Sequence, residues 1–183
     1  MRTFISINLS PETLKQFADI QENIKSTLVG REVNSLRWEP MDKFHITLLF
    51  VGETSPAETR EVQKVLKRIN PGIGSLEFTS RSVGAFPNLR TPRVLFANLK
   101  DSGKLLMLTG EIHNEMKNLG YESDKKFHPH ITLGRVKRDR KVNLTKLSSL
   151  NFDISFEASS FHLMESKILP TGSKYSIIQE YRL

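Results

Sequence analysis

Cysteine is absent from all 183 residues, so the chain has neither disulfides nor thiolate metal sites. Long apolar runs are missing too: hydrophobic residues make up 38% of the chain, but no stretch approaches the roughly 20 residues of a membrane span. The opening Met1-Arg2-Thr3-Phe4-Ile5-Ser6-Ile7 is too short, and too soon followed by a helix start, to read as a signal peptide. These absences predict a cytoplasmic protein with no membrane partner. Negative charge is scarce, with 20 acidic against 27 basic residues, a net charge of +7 and a sequence pI near 9.7. That balance suits a polyanionic partner such as RNA, although lysines scattered over solvated helix faces give the same total. The densest basic cluster is Arg135, Lys137, Arg138, Arg140 and Lys141.

What the chain does have is a repeat. His-Ile-Thr-Leu occurs at His45 to Leu48 and again at His130 to Leu133, the histidines 85 positions apart. Chance recurrence of a given tetrapeptide in a chain of this length has odds of about one in a thousand. Both copies lie in apolar, β-branched runs that read as buried strands. Side chains alternate along a strand, so His45 and Thr47 share one face, as do His130 and Thr132, while the isoleucines and leucines pack on the other.

Set side by side, the two strands bring two imidazoles and two hydroxyls to one spot, a site for a tetrahedral anion. Imidazole titrates at about 6.5, so one ring can take a proton while the other gives one. Two such rings on opposite sides of a phosphorus make an acid and base pair for in-line displacement, and predict a bell-shaped pH profile with limbs flanking neutrality. Thr47 and Thr132 can donate to non-bridging oxygens, and Arg135 can supply positive charge to a dianionic transition state. No nucleophilic side chain is required.

Each of these residues also has a bland reading. A lone histidine in an apolar strand is more often structural than catalytic, and only the identical second motif reverses those odds for His45 and His130. Thr47 and Thr132 are ordinary strand formers. Trp38 and Phe127 are balanced between core packing and stacking on a nucleobase. Phe86 with Pro87 reads as a shaped loop, and His113 and His162 read as structural. His128-x-His130 joined by His45 matches a three-histidine zinc site in type. Pro129 between them interrupts a regular pleat, and no acidic residue adjoins either motif to steer the rings. The reading is therefore no metal and no cofactor.

The periodicity gives two similar halves. Thr3 to Leu9 reads as a strand; Ser10 and Pro11 open a helix with the stripe Leu14, Phe17, Ile20, Ile24 and Leu28, ended by Gly30. After the first motif, Ser55 to Glu58 is a capping box for a helix with Val62, Val65, Leu66 and Ile69 inward, closed by Pro71-Gly72. Strands follow near Leu76 to Val83 and Arg93 to Leu99, then a helix from about Ser102 to Leu119 ended by Gly120. Ser160 to Lys167 and Lys174 to Leu183 alternate as a hairpin across Leu169-Pro170-Thr171-Gly172. Periodicity alone supports α+β with mixed sheets.

At this point the chain resembles a known family, the two-histidine (2H) phosphoesterases with their paired His-x-Thr-x motifs, and within them the RNA 2',3'-cyclic phosphodiesterases, also called 2'-5' RNA ligases. Beyond the motifs, the likeness rests on Leu36-Arg37-Trp38 with Pro40, Phe50-Val51-Gly52-Glu53, Gly84-Ala85-Phe86-Pro87, Pro92-Arg93-Val94-Leu95 and Phe127 to Arg135. Only Arg138 to Phe152 matches nothing in that pattern. The resemblance implies residues 1–183 as one bilobal domain: α+β, two pseudo-symmetric lobes of mixed or antiparallel sheet with helices outside, and a central cleft carrying both motifs. It further implies metal-independent opening of a ribose 2',3'-cyclic phosphate at an RNA end, with O3' leaving, by a monomer. His130 is assigned as base and His45 as acid. Two rivals remain: a relative acting on ADP-ribose cyclic phosphate or a 2'-5' oligoadenylate, and a noncatalytic nucleotide- or RNA-binding module, for which two proton carriers across one anion would have no use.

Overall fold

The computed structural model describes residues 1–69, 72–122, 126–170 and 172–183. In chain order it runs β1 (Arg2–Asn8), α1 (Pro11–Thr27), α2 (Arg31–Asn34), β2 (Leu36–Trp38), β3 (His45–Glu53), α3 (Pro56–Arg68), β4 (Leu76–Ser80), β5 (Val83–Phe86), β6 (Val94–Asn98), β7 (Lys100–Asp101), α4 (Lys104–Asn118), β8 (His130–Val136), β9 (Ile154–Ala158), β10 (Ser160–Leu169) and β11 (Gly172–Arg182). One sheet has the order β11-β10-β1-β3, a second β2-β8-β6-β5, and a small third β7-β4-β9. Every strand pairing among the described residues is antiparallel, where periodicity had left room for mixed sheets. β3, on the edge of the first sheet, meets β8 of the second.

The helices begin where local chemistry allows. Ser10 caps α1 by accepting from Thr13 N, and Pro11 sits where its missing N–H costs nothing. Ser55 and Glu58 form the reciprocal capping box of α3. The start of α4 differs from expectation: its N-cap is Gly103, and the carboxylate of Asp101, just upstream, accepts from the backbone N–H groups of Gly103 and Leu105. The predicted stripe of α1 also shifts. Phe17 and Ile24 are buried with Thr13 and Gln21, while Leu14 and Ile20 are only half-buried. Of the α3 stripe, Val62, Leu66 and Ile69 are buried and Val65 is half-buried. Pro71 and Thr171, placed by the sequence at a helix end and a hairpin turn, lie outside the described residues.

A single apolar cluster runs from Ile5 and Ile7 through Phe17, Ile46, Leu66 and Phe78 to Leu95, Leu108, Ile131 and Phe161. Burying one such side chain stabilises by about 1.5–3 kcal/mol. Ile46 and Ile131 are both fully buried, so each motif strand is fixed from behind by its isoleucine.

β1-α1-β3 and β6-α4-β8 are the same unit twice, down to the register. Asn8 lies opposite His45 and Asn98 opposite His130; Ser6 faces Thr47 and Phe96 faces Thr132. In both ladders the pairing then skips one residue, Leu48 in β3 and Leu133 in β8. The fourth residue of each His-Ile-Thr-Leu is therefore a β-bulge.

Candidate active site

The bulge decides which side chains share the open face. On an unbroken pleat, a residue at odd distance from His130 points away from it. One extra residue reverses the alternation downstream. Leu133 and Gly134 are consecutively buried, and Arg135, five positions after His130, emerges exposed beside the half-buried His130 and Thr132. β3 repeats the pattern, with Leu48 and Leu49 buried and Phe50 exposed where β8 carries Arg135.

Each bulge is held by a helix from the other unit. Gln21 of α1 donates from Nε2 to the carbonyl of Leu133 at 2.8 Å and to that of Glu39 at 2.8 Å. His113 of α4 bonds through Nε2 to the carbonyl of Leu48 at 3.0 Å. A bulge frees backbone groups from the ladder, and buried ones need partners. Neither Gln21 nor the partner of His113 was anticipated from the sequence, because an i to i+4 stripe of leucines and isoleucines dominates α1 and α4 there.

Both motif histidines are oriented by the backbone two residues before them. His45 Nδ1 lies 2.7 Å from the carbonyl of Lys43, and His130 Nδ1 lies 2.7 Å from that of His128. A carbonyl only accepts, so each ring carries its proton on Nδ1 and keeps Nε2 for chemistry. Thr47 Oγ1 sits 3.0 Å from His45 Nε2 and donates to it when the ring is neutral.

Aromatic rings close around both imidazoles. Phe4 and Tyr175 stand 5.1 and 5.5 Å from His45 by ring centroid. Phe96 and Phe86 stand 5.1 and 5.3 Å from His130. Phe96 can lie there because residue 84 is glycine: a Cβ on Gly84 would come within 2.6 Å of the Phe96 ring. Burial is the largest influence on both histidines and pushes both pKa values below the ordinary imidazole range, against the opposing backbone carbonyls. Positive charge on Arg135 lowers both further, and a charge on His130 disfavours one on His45. β3 and β8 meet in space, so these charges act on one another.

The structure thus brings together His45, Thr47, His130, Thr132 and Arg135. It sets Trp38 and Phe127 differently. Trp38 donates from Nε1 to the carbonyl of Val33 at 3.3 Å, with Lys25 Nζ 5.3 Å from the ring centroid, and Phe127 is partly buried against the core. His128 is exposed, its Nε2 3.3 Å from Asn98 Oδ1, and among the described residues no group of three or more His, Asp or Glu side chains is arranged to hold a metal ion. Tyr175 was missed by the sequence reading, since a tyrosine in an alternating hairpin carries no local mark of what faces it.

A pair of half-buried, oriented histidines on two bulged strands defines a class of fold and site, and sequence comparison assigns the family. A profile of the 2'-5' RNA ligase superfamily matches residues 33–167; the chain belongs to that superfamily. It is 31% identical over 181 residues to the RNA 2',3'-cyclic phosphodiesterase of Thermotoga maritima, covering 98% of this chain and 94% of that one. It is 29% identical over 185 residues to the enzyme of the same name from Archaeoglobus fulgidus, covering 99% of each. A solved Thermus thermophilus protein superposes with a TM-score of 0.79 at 26% identity, over 100% of this chain and 98% of that one. Escherichia coli LigT in complex with 3'-AMP shares the fold, with a TM-score of 0.79 at 23% identity over 100% and 97%. Among the described residues, no helix is long and apolar enough to cross a membrane.

Proposed function

We propose that residues 1–183 form one bilobal unit that hydrolyses a ribose 2',3'-cyclic phosphate at an RNA end. The observation that carries this reading is the pair of imidazoles, each with Nδ1 on a backbone carbonyl and Nε2 left for proton transfer, in a chain whose relatives bear the name of that activity. Water attacks phosphorus and gives its proton to His130 Nε2. The bond from phosphorus to O3' breaks in line, and O3' takes a proton from His45 Nε2, leaving a 2'-phosphate and a 3'-hydroxyl. Exchange with solvent resets both rings. Thr47, Thr132 and Arg135 hold the non-bridging oxygens. With a 5'-hydroxyl in place of water, the same ring opening forms a 2'-5' linkage, the hydroxyl proton passing to His130 and O3' taking one from His45.

The chain's own groups complete this scheme, so turnover should persist after exhaustive EDTA treatment. The test is chromatography of products from adenosine 2',3'-cyclic phosphate before and after chelation. The expected product is adenosine 2'-phosphate at an unchanged rate. A 3'-phosphate product would reverse the bond assignment, and a large loss restored by zinc or manganese would replace this mechanism.

A further inference from the structure

Two cavities share Arg93, one of them also lined by Arg135 of the candidate active site, and every charged side chain lining them is a cation. The first, about 940 Å³, is lined by Arg37, Arg93, Arg135, Lys137 and Arg138 with two valines. The second, about 480 Å³, shares Arg93 and adds Arg90, Arg140 and Lys141. Arg37 and Arg135 sit directly opposite one another on β2 and β8. Like charges in register destabilise a sheet, so the arrangement is unfavourable without an anion to share. Among the described residues, Arg37, Arg90, Arg93, Arg135, Lys137, Arg138 and Lys141 make no ion pair; of the eight cations only Arg140 does, with Asp139 at 3.4 Å.

The trough is built on fixed backbone. The Arg93 carbonyl accepts from Val136 N at 2.9 Å and Leu89's carbonyl accepts from Leu144 N at 2.8 Å. Leu144 and Leu147 are fully buried. They anchor the segment from Arg138 to Phe152, for which neither the motifs nor the reaction supplies a use, against the stretch that carries Arg90 and Arg93.

We propose that this trough binds the backbone phosphates of the nucleotides 5' of the reacting ribose, making a single-stranded RNA tail the preferred substrate over a cyclic mononucleotide. The proposal rests on the cyclic phosphodiesterase reading. Arg135 stands at the junction: it acts electrostatically on both histidines and lines the first cavity. A strand whose 3' end occupies the histidine pair runs from Arg135 and Arg37 past Arg93 to Arg90 and Lys141. Contacts of this kind go to phosphates and carry no sequence preference.

The test compares a hexaribonucleotide ending in a 2',3'-cyclic phosphate with adenosine 2',3'-cyclic phosphate, using wild type, the Arg90→Ala/Arg140→Ala/Lys141→Ala triple variant, and Lys141→Glu. Wild type is expected to favour the hexamer by at least about tenfold in kcat/KM, mainly through KM. The triple variant is expected to lose most of that preference while its turnover of the mononucleotide stays within about twofold. Lys141→Glu is expected to show the same selective loss in weaker form. The slope of log kcat/KM for the hexamer against log salt should fall by about 2 in the triple variant, at about 0.7 per single-strand phosphate contact. Equal use of both substrates by wild type, or parallel losses on both substrates in the two variants, would overturn the trough and leave the cyclic phosphodiesterase reading standing. Turnover of neither substrate by wild type would overturn both.

Discussion

In the proposed reaction His45 and His130 act through what surrounds them. Both are enclosed by aromatic rings, and burial drives both toward the neutral form. In the free protein the one-neutral, one-charged arrangement that the reaction needs is therefore populated only on the acid side of the ordinary imidazole value of about 6.5. As pH rises, the charged ring is lost; as it falls, the neutral one is. The expected kcat/KM profile is a bell with its maximum below about 6.5, shifted down from the neutral range that unperturbed rings would give. A bound phosphodiester anion favours imidazolium, so the kcat maximum should lie at higher pH. Paired pH series for the two parameters check this, and a kcat/KM optimum well above 7 would contradict it. In the proposed reaction Arg135 supplies positive charge to the reacting phosphate. Arg135→Ala should cost about 2–4 kcal/mol of transition-state stabilisation, by comparison with loss of one oxyanion donor. Lys should restore only part, lacking the bidentate fork. Steady-state kinetics of the two variants decide it, and full activity of the Ala variant would move Arg135 off the phosphate.

At the scale of elements, the bulge at Leu133 is what turns Arg135 onto the histidine face, and Gln21 is what holds the bulge. Gln21→Leu would remove the donor to the Glu39 carbonyl and one of two donors to the Leu133 carbonyl, which keeps the Glu39 N–H at 3.0 Å; a buried group left unsatisfied costs about 1–3 kcal/mol. Denaturant melts should show a loss of that size, with kcat/KM falling in the direction of the Arg135→Ala variant. Unchanged stability would show that water or a shift of β2 replaces the amide. This element also marks how far sequence reading reached. The motifs with their strands, the capping box and the hairpin were legible because periodicity and turn chemistry are local; the run near Leu76 to Val83, read as one strand, is two, β4 and β5, in different sheets, and β9 was not read at all. The bulge was not, since Leu-Leu and Leu-Gly after a threonine fit a regular buried strand equally well, and Arg135 was placed near the phosphate without a reason for its facing there. Asp101 at the start of α4 was hidden in the same way: a side chain reaching past a glycine leaves no fixed-offset signature.

Across the whole molecule, one strand-helix-strand unit appears twice, and each copy's helix braces the other copy's bulge, Gln21 to Leu133 and His113 to Leu48. The repeat of four residues was visible in sequence; the exchange of braces needed the three-dimensional register. Symmetry then breaks at the residue after the buried pair, where one unit exposes Phe50 and the other Arg135, so the guanidinium that lines the basic trough comes from the second unit. The central claim is that the two copies supply one acid and one base to a single phosphorus. The most direct test measures kcat/KM of wild type, His45→Ala, His130→Ala and the double variant on a 2',3'-cyclic substrate, and on an analogue whose leaving group departs without protonation. Each single variant should lose about 10² to 10⁴ on the natural substrate, with the double falling far less than the product. The analogue should rescue His45→Ala and leave His130→Ala inactive. Rescue of His130→Ala alone would exchange the two roles, and strictly additive losses with no rescue of either variant would contradict the acid and base pair itself.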